Sequence, residues 1–408
     1  MKSWISRAPV SLASIKRGVY TIAVIALATA TACGGTGATT ESATESASGG
    51  FGTDGRVLLY DELSRPVVMQ SDGRIVTLLG LGLVRYTADG RLDRGFGHGG
   101  SAPIAFNLSE VTVAIQPDGR IVLAGTRVRP EGKYGDFTDF GMARYTRHGR
   151  LDRSFGDGGK VVSHDGAGGS VAIQDDGRIV VVPAPGRLSR YTADGRLDRS
   201  FARGGAVVSD FDEAFGLIAV QADGKIVAIG TGVLARYTRD GRLDPSFGRG
   251  GRVVTDFTWN PTALAIHGDG RIVVAGSRSP NPDGFALARY TGEGHLDLTF
   301  GNSGEVLTSF GPHAAGASAS AIAIQPDGKI VAVGEEWGAD VENFSYFALA
   351  RYTRDGKLDA SFGAGGKVLT RFRSSCGALS VAIQLDGKIV AGGCGGLARY
   401  KSDGSLDS

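Results

Sequence analysis

Tryptophan, methionine and cysteine are scarce in this chain of 408 residues, with three of each. Three cysteines cannot supply the dense disulfide framework of a small secreted scaffold. No CxxC, HExxH or GxSxG pattern and no phosphate-cradling glycine loop occurs. Thiol redox, zinc-protease, serine-hydrolase and nucleotide chemistry therefore lose their usual local signatures. No window sustains a 3.6-residue apolar period, which argues against helices. No basic cluster interleaved with aromatics appears, and the formal net charge is only +2. Four of the positive charges, Lys2, Arg7, Lys16 and Arg17, lie in the first 32 residues, which hold no acid. The remainder is close to neutral and has no general attraction for nucleic acid.

What is abundant is glycine, 65 residues of it. With Val, Ile and Leu in compact runs, it fits many short strands joined by tight turns. The single long apolar run, GVYTIAVIALA from Gly18 to Ala28, is short for a membrane span of ~20 residues. After a basic stretch it matches a secretory signal. Residues 1–32 are therefore read as a signal peptide. Ala30-Thr31-Ala32 suits ordinary signal peptidase. The same residues before Cys33 resemble a bacterial lipobox, with Ala30 where Leu is usual, and Cys33 would then carry the lipid. Residues 33–50, rich in Gly, Ser, Thr and Ala, read as a flexible tether.

From residue 51 onward one phrase recurs, as in Arg351 to Val368, RYTRDGKLDASFGAGGKV. Its Arg-Tyr pair begins at Arg85, Arg144, Arg190, Arg236, Arg289, Arg351 and Arg399. The aspartate of its Leu-Asp pair is Asp93, Asp152, Asp198, Asp244, Asp297, Asp359 and Asp407. An apolar-Gln-x-Asp-Gly-basic-Ile-Val phrase alternates with it, with His267 in place of Gln in one copy. Asp-Gly between β-rich runs marks a hairpin, and each copy yields four strands. Seven copies of four antiparallel strands predict an all-β, seven-bladed β-propeller over 51–408. The chain stops at Leu406-Asp407-Ser408 and the domain opens on Phe51-Gly52, the missing continuation. An N-terminal strand should thus complete the last blade and close the ring, which removes the exposed edge.

The ARYTxDGxLDxSFGxGG and AIQPDGKIVVAG phrases resemble the delta-60 repeat family of bacterial exported proteins. The resemblance spans residues 51–408 and implies a β-propeller, with no defined biochemical role.

Sevenfold use of the Arg and Asp marks them as scaffold. The Asp should cap its turn and pair with an arginine, and the Phe three residues later should plug between blades. Calcium is the sharper alternative for this loop, but the D-x-D-x-D-G ligand series is missing. No metal or cofactor is expected. Strand parity puts the Asp-Gly hairpins and the Leu-Asp loops on one face and the variable connections on the other, where binding residues belong. Among the non-repeated residues there, Tyr134, His164, Trp259, Glu335 and Trp337 are the candidate binding residues. Asp136, Asp165, His313, Glu336, Asp340 and Glu342 complete the set. Cys376 and Cys394 fall at the same end of one hairpin, and a disulfide between them is expected.

The leading expectation is a monomeric, non-enzymatic, lipid-anchored envelope propeller, at the outer membrane or cell surface, binding a protein or glycan through its variable face. A secreted or periplasmic form is the alternative location. A hydrolase using paired carboxylates of the 335–342 loop and a purely structural module are the alternative functions.

Overall fold

A computed structural model describes residues 51–59, 66–105, 108–128, 138–164, 166, 168–209, 215–230, 232–255, 259–278, 284–311, 314–338, 345–372 and 376–408. Within them lie seven antiparallel sheets of four strands each and no helix. The expected β-propeller is therefore observed. Blade 2 is representative, with strands Leu108–Ile115, Ile121–Val128, Thr138–Tyr145 and Lys160–Ser163. The first strands of neighbouring blades touch one another around the centre, so each blade runs from the middle outward in chain order.

The burial pattern follows from this stacking. The middle strands have a neighbouring sheet on both faces and read as continuous apolar runs, such as IVAIG at Ile226–Gly230, buried throughout. A strand covered on both sides has no reason to alternate. The outermost strands are short and half exposed, as in Arg252–Val254. Apolar clusters bridge adjoining blades, and each buried aliphatic side chain contributes roughly 1.5–3 kcal/mol.

The seventh blade has the order Ala378–Ile383, Ile389–Gly393, Gly396–Tyr400 and then Arg56–Leu58. Arg56 pairs with Ala398, Val57 with Leu397 and Leu58 with Gly396. The two half-repeats at the chain ends join as the sequence implies. The Phe51 amide donates to the Asp407 carbonyl at 2.9 Å, just as Phe362 donates to Asp359 at 3.0 Å. Arg399 donates to the Gly55 carbonyl, as Arg351 does to that of Gly366.

The phrase works as a joint between blades. Phe96 is buried, and its ring lies where a Cβ on Gly149 of blade 2 would sit, 2.7 Å away. Gly149 has φ +81°, so glycine answers two demands there, the close approach and the positive φ. The same Phe-on-Gly contact recurs around the ring and ends with Phe51 against Gly90.

On the variable face the strands extend beyond the repeated phrases. Arg127 and Asp139 lie inside strands Ile121–Val128 and Thr138–Tyr145. Ser277 lies in Ile272–Arg278, and Glu335 to Trp337 lie in Ile330–Gly338. Sheet pairing continues past the repeated phrase because any alternating sequence can extend a ladder once its neighbour is in place.

Candidate functional site

The face carrying the hairpins and Leu-Asp loops is organised by the repeated Arg and Asp. Arg236 donates through Nε to Oδ2 of Asp244 at 2.8 Å. Asp244 Oδ1 accepts from the Ser246 amide and hydroxyl at 3.1 and 2.7 Å. Lys225 from the hairpin stands 3.3 Å from the same carboxylate. Burial pushes the Asp244 carboxyl up, yet the Ser246 hydrogen bonds, Lys225 and Arg236 outweigh it and hold it at about 2. The same balance lowers Asp152, Asp198, Asp297, Asp359 and Asp407. The expected cap and the expected ion pair both form.

The arginine also reaches across the joint. Arg85, Arg144, Arg190, Arg236, Arg289, Arg351 and Arg399 each donate to a carbonyl of the following blade, at Arg147, Ala193, Arg239, Gly292, Arg354, Ser402 and Ala88 respectively. Each guanidinium also lies over its loop phenylalanine at 4.5 to 4.7 Å, a favourable cation–π geometry. Every member of the set is committed to another member. The Asp carboxylates read as possible calcium ligands are taken up by arginine and backbone amides.

The repeat glutamine extends the network. Gln116 donates to the Gly177 carbonyl of the next blade at 2.8 Å and accepts from Arg144 at 3.4 Å. His267 does not reproduce this. Its Nε2 is buried without a hydrogen-bond partner, and burial pushes its pKa down to about 4. At that nitrogen the histidine does not stand in for the glutamine as a hydrogen-bonding group.

The opposite face holds the non-repeated polar residues. In blade 2, His164 follows the outer strand and is 75% exposed, while Asp139 of the third strand is 1% exposed. His164 Nδ1 lies 2.9 Å from Asp139 Oδ1, and Arg127 donates to Asp139 Oδ2 at 3.2 Å. The buried carboxylate fixes the imidazole and turns Nε2 to solvent. Sequence reading selected His164 and missed Asp139. The signal was an acidic residue at the start of a strand that is otherwise apolar, TDFGMARY.

In blade 6, Glu335 is half buried and pushed up by burial, against hydrogen bonds from Ser345 and Trp337. Glu336 is buried. The two are consecutive in one strand and point to opposite sides of the sheet. They do not form a paired-carboxylate centre. Gly377 of blade 7 passes so close that a Cβ there would fall 2.5 Å from the Glu335 Cα. Beside it, Cys376 and Cys394 form the expected disulfide, with Cα atoms 5.5 Å apart. Phe347 and Phe372 stack at 4.3 Å in the same seam.

Trp259 opens the strand Trp259–Ile266, paired with Arg278; its side chain lies outside the description. Tyr134, Asp136, Asp165, His313, Asp340, Glu342 and Cys33 fall outside the described residues. The structure brings together His164, Asp139 and Arg127 in blade 2, and Glu335, Trp337 and Ser345 in blade 6.

Five stretches, residues 116–155, 221–247, 267–300, 325–362 and 384–408, match a family described as a domain of unknown function (DUF5122) beta-propeller. No curated protein matches the chain. Among solved structures, it is similar to the extracellular domain of a one-component system from B. thetaiotaomicron, at 13% identity and TM-score 0.47. That similarity covers 85% of this chain and 40% of the other; the chain thus spans less than half of that protein's length. It is also similar to the computationally designed protein Ika8, at 12% identity and TM-score 0.46, over 84% of this chain and 98% of the design. A protein of unknown function from Bacteroides caccae matches at 13% identity and TM-score 0.40, over 77% of this chain and all of the other.

Proposed function

We propose that the ring is a rigid carrier, exported from the cytoplasm, that binds a protein or glycan through its variable face and catalyses no reaction. One observation carries this reading. The repeated polar residues are consumed in holding blades together, while His164, Glu335 and Trp337 stand outside that network on the opposite face. An imidazole held by a buried carboxylate and an indole beside a half-buried carboxyl are suited to directional recognition of hydroxyl and amide groups.

Export is supported by the Cys376–Cys394 disulfide, which persists in oxidising compartments, and by the basic and apolar leader. A lipid on Cys33 would tether the ring to a membrane. Phe51, the first described residue, lies on the face of the Leu-Asp loops, opposite the variable face. A hydrolase would need two carboxyls flanking one bond, and the divergence of Glu335 and Glu336 does not supply them.

The test is a screen of envelope glycans and envelope proteins with the chain from Gly34 onward, beside His164→Ala and Glu335→Gln/Trp337→Ala. The expected result is a partner whose affinity falls at least about tenfold in one of these variants, with melting unchanged. Equal binding by all three proteins would remove this reading.

A further inference from the structure

The network face is not electrically uniform. The Leu-Asp loops of blades 1–4, at 87–100, 146–159, 192–205 and 238–251, carry eleven arginines. They hold eight aspartates, but Asp93, Asp152, Asp198 and Asp244 are each bonded to a joint arginine outside the loop. Of the eleven, Arg147 and Arg239 pair with the hairpin aspartates Asp72, Asp175 and Asp176, and Arg196 with Asp194, which leaves eight arginines against Asp89, Asp157 and Asp240. The corresponding loops of blades 5–7 carry only Arg354, Lys357 and Lys401 as cations, with Glu293, Asp355, Asp403 and Asp54 opposing them. A basic crescent therefore covers four successive blades of an otherwise balanced face. Arg91, Arg150, Arg153, Arg199 and Arg242 within it are all exposed.

The same face exposes apolar side chains where the crescent ends. Leu298 of blade 5 occupies the position that holds Arg94, Arg153 and Arg199 in blades 1–3, and it is 69% exposed. Leu385 sits in the hairpin of blade 7 and is 85% exposed. Phe51, the first described residue, also lies on this face.

We propose that this face docks on an anionic lipid surface, with the arginine crescent over the headgroups and Leu298 and Leu385 dipping among them. Charge complementarity selects an anionic partner, and exposed leucines beside the charge select a bilayer over a soluble polyanion. A lipid on Cys33 would bring a membrane within reach of this face, because Phe51, the first described residue, lies on it. Each arginine near such a surface strengthens partition roughly fivefold. The inference does not rest on the variable face binding anything, since the two faces are opposite and their variants are separate.

The ring closes on itself from Phe51 to Ser408, so a chain starting at Gly34 retains every described contact and carries no lipid. It would be sedimented with vesicles of phosphatidylcholine alone and with added phosphatidylglycerol, across a salt series. A variant with Arg150, Arg153, Arg196 and Arg199 all changed to Gln, and a second with Leu298→Ser and Leu385→Ser, would be run beside it. The expected result is binding to the phosphatidylglycerol vesicles only, weakened by salt, lost by at least about tenfold in the arginine variant and reduced in the leucine variant. Equal partition into both vesicles, or no effect of either variant, would overturn the proposal. Binding to heparin with none to vesicles would overturn it as well, and would mark the crescent as a site for a soluble polyanion. Urea midpoints matching the unaltered chain would show that the variants are folded.

Discussion

The guanidinium of Arg399 lies over the ring of Phe51, 4.7 Å from its centroid, and so joins the last strands of the chain to the N-terminal segment of the ring. Six other arginines make the same contact within one continuous copy of the phrase. The seventh is assembled from the two ends of the chain.

Equivalence of these contacts makes a quantitative prediction. Phe51→Ala and Phe362→Ala should each cost about 3–5 kcal/mol in urea unfolding, because each empties a fully buried site. A loss at Phe362 with a negligible loss at Phe51 would mean that the N-terminal segment does not close the ring.

The disulfide joins the first two strands of the same closing blade, across 18 residues. In the loop-entropy model a bridge of that length contributes about 3 kcal/mol. Reductant, or the double change Cys376→Ser/Cys394→Ser, should lower the urea midpoint accordingly. Identical midpoints in both redox states would show that the bridge adds nothing to the native fold.

Acid should unfold the ring in two stages. His267 is held neutral by burial, at about 4 in the fold. An ordinary histidine titrates near 6.5, so its stabilisation is complete above that value and declines as the pH falls toward 4. Asp152, Asp198, Asp244, Asp297, Asp359 and Asp407 have depressed values, Asp244 at about 2. Their stabilisation is complete above the ordinary carboxylate value near 4 and is lost as the pH falls through their folded values. Unfolding followed by fluorescence across pH should show both declines. His267→Gln should flatten the upper one and leave the lower one in place, and should raise stability at neutral pH by roughly 1–3 kcal/mol by removing a buried orphan nitrogen. An upper decline unchanged by that substitution would contradict the assignment.

The fold was legible in the sequence because the phrase repeats and because each copy combines an Asp-Gly turn with apolar runs of strand length. The split copy at Phe51 and Asp407 even located the closure. The contents of the candidate site were less legible, for a geometric reason. The partner of His164 is Asp139, which lies on a different strand of blade 2 and outside the repeated phrase, so spacing along the chain does not announce it. Glu335 and Glu336 looked like two members of an acidic loop. They occupy a continuing strand, whose alternation sends them to opposite sides. Sheet pairing beyond a repeat depends on what the neighbouring strand offers, which a single strand's sequence does not state.

Closure of the ring by the N-terminal strand is the claim on which the rest depends, since both faces are defined by it. Hydrogen exchange at Gly396–Tyr400 tests it most directly, comparing the chain from Gly34 with one that starts after Leu59. The three paired residues Arg56, Val57 and Leu58 cover that strand. Protected amides are expected at Leu397 and Arg399, whose N–H groups face this strand, in the longer chain and rapid exchange in the shorter one. Equal protection in both would contradict it.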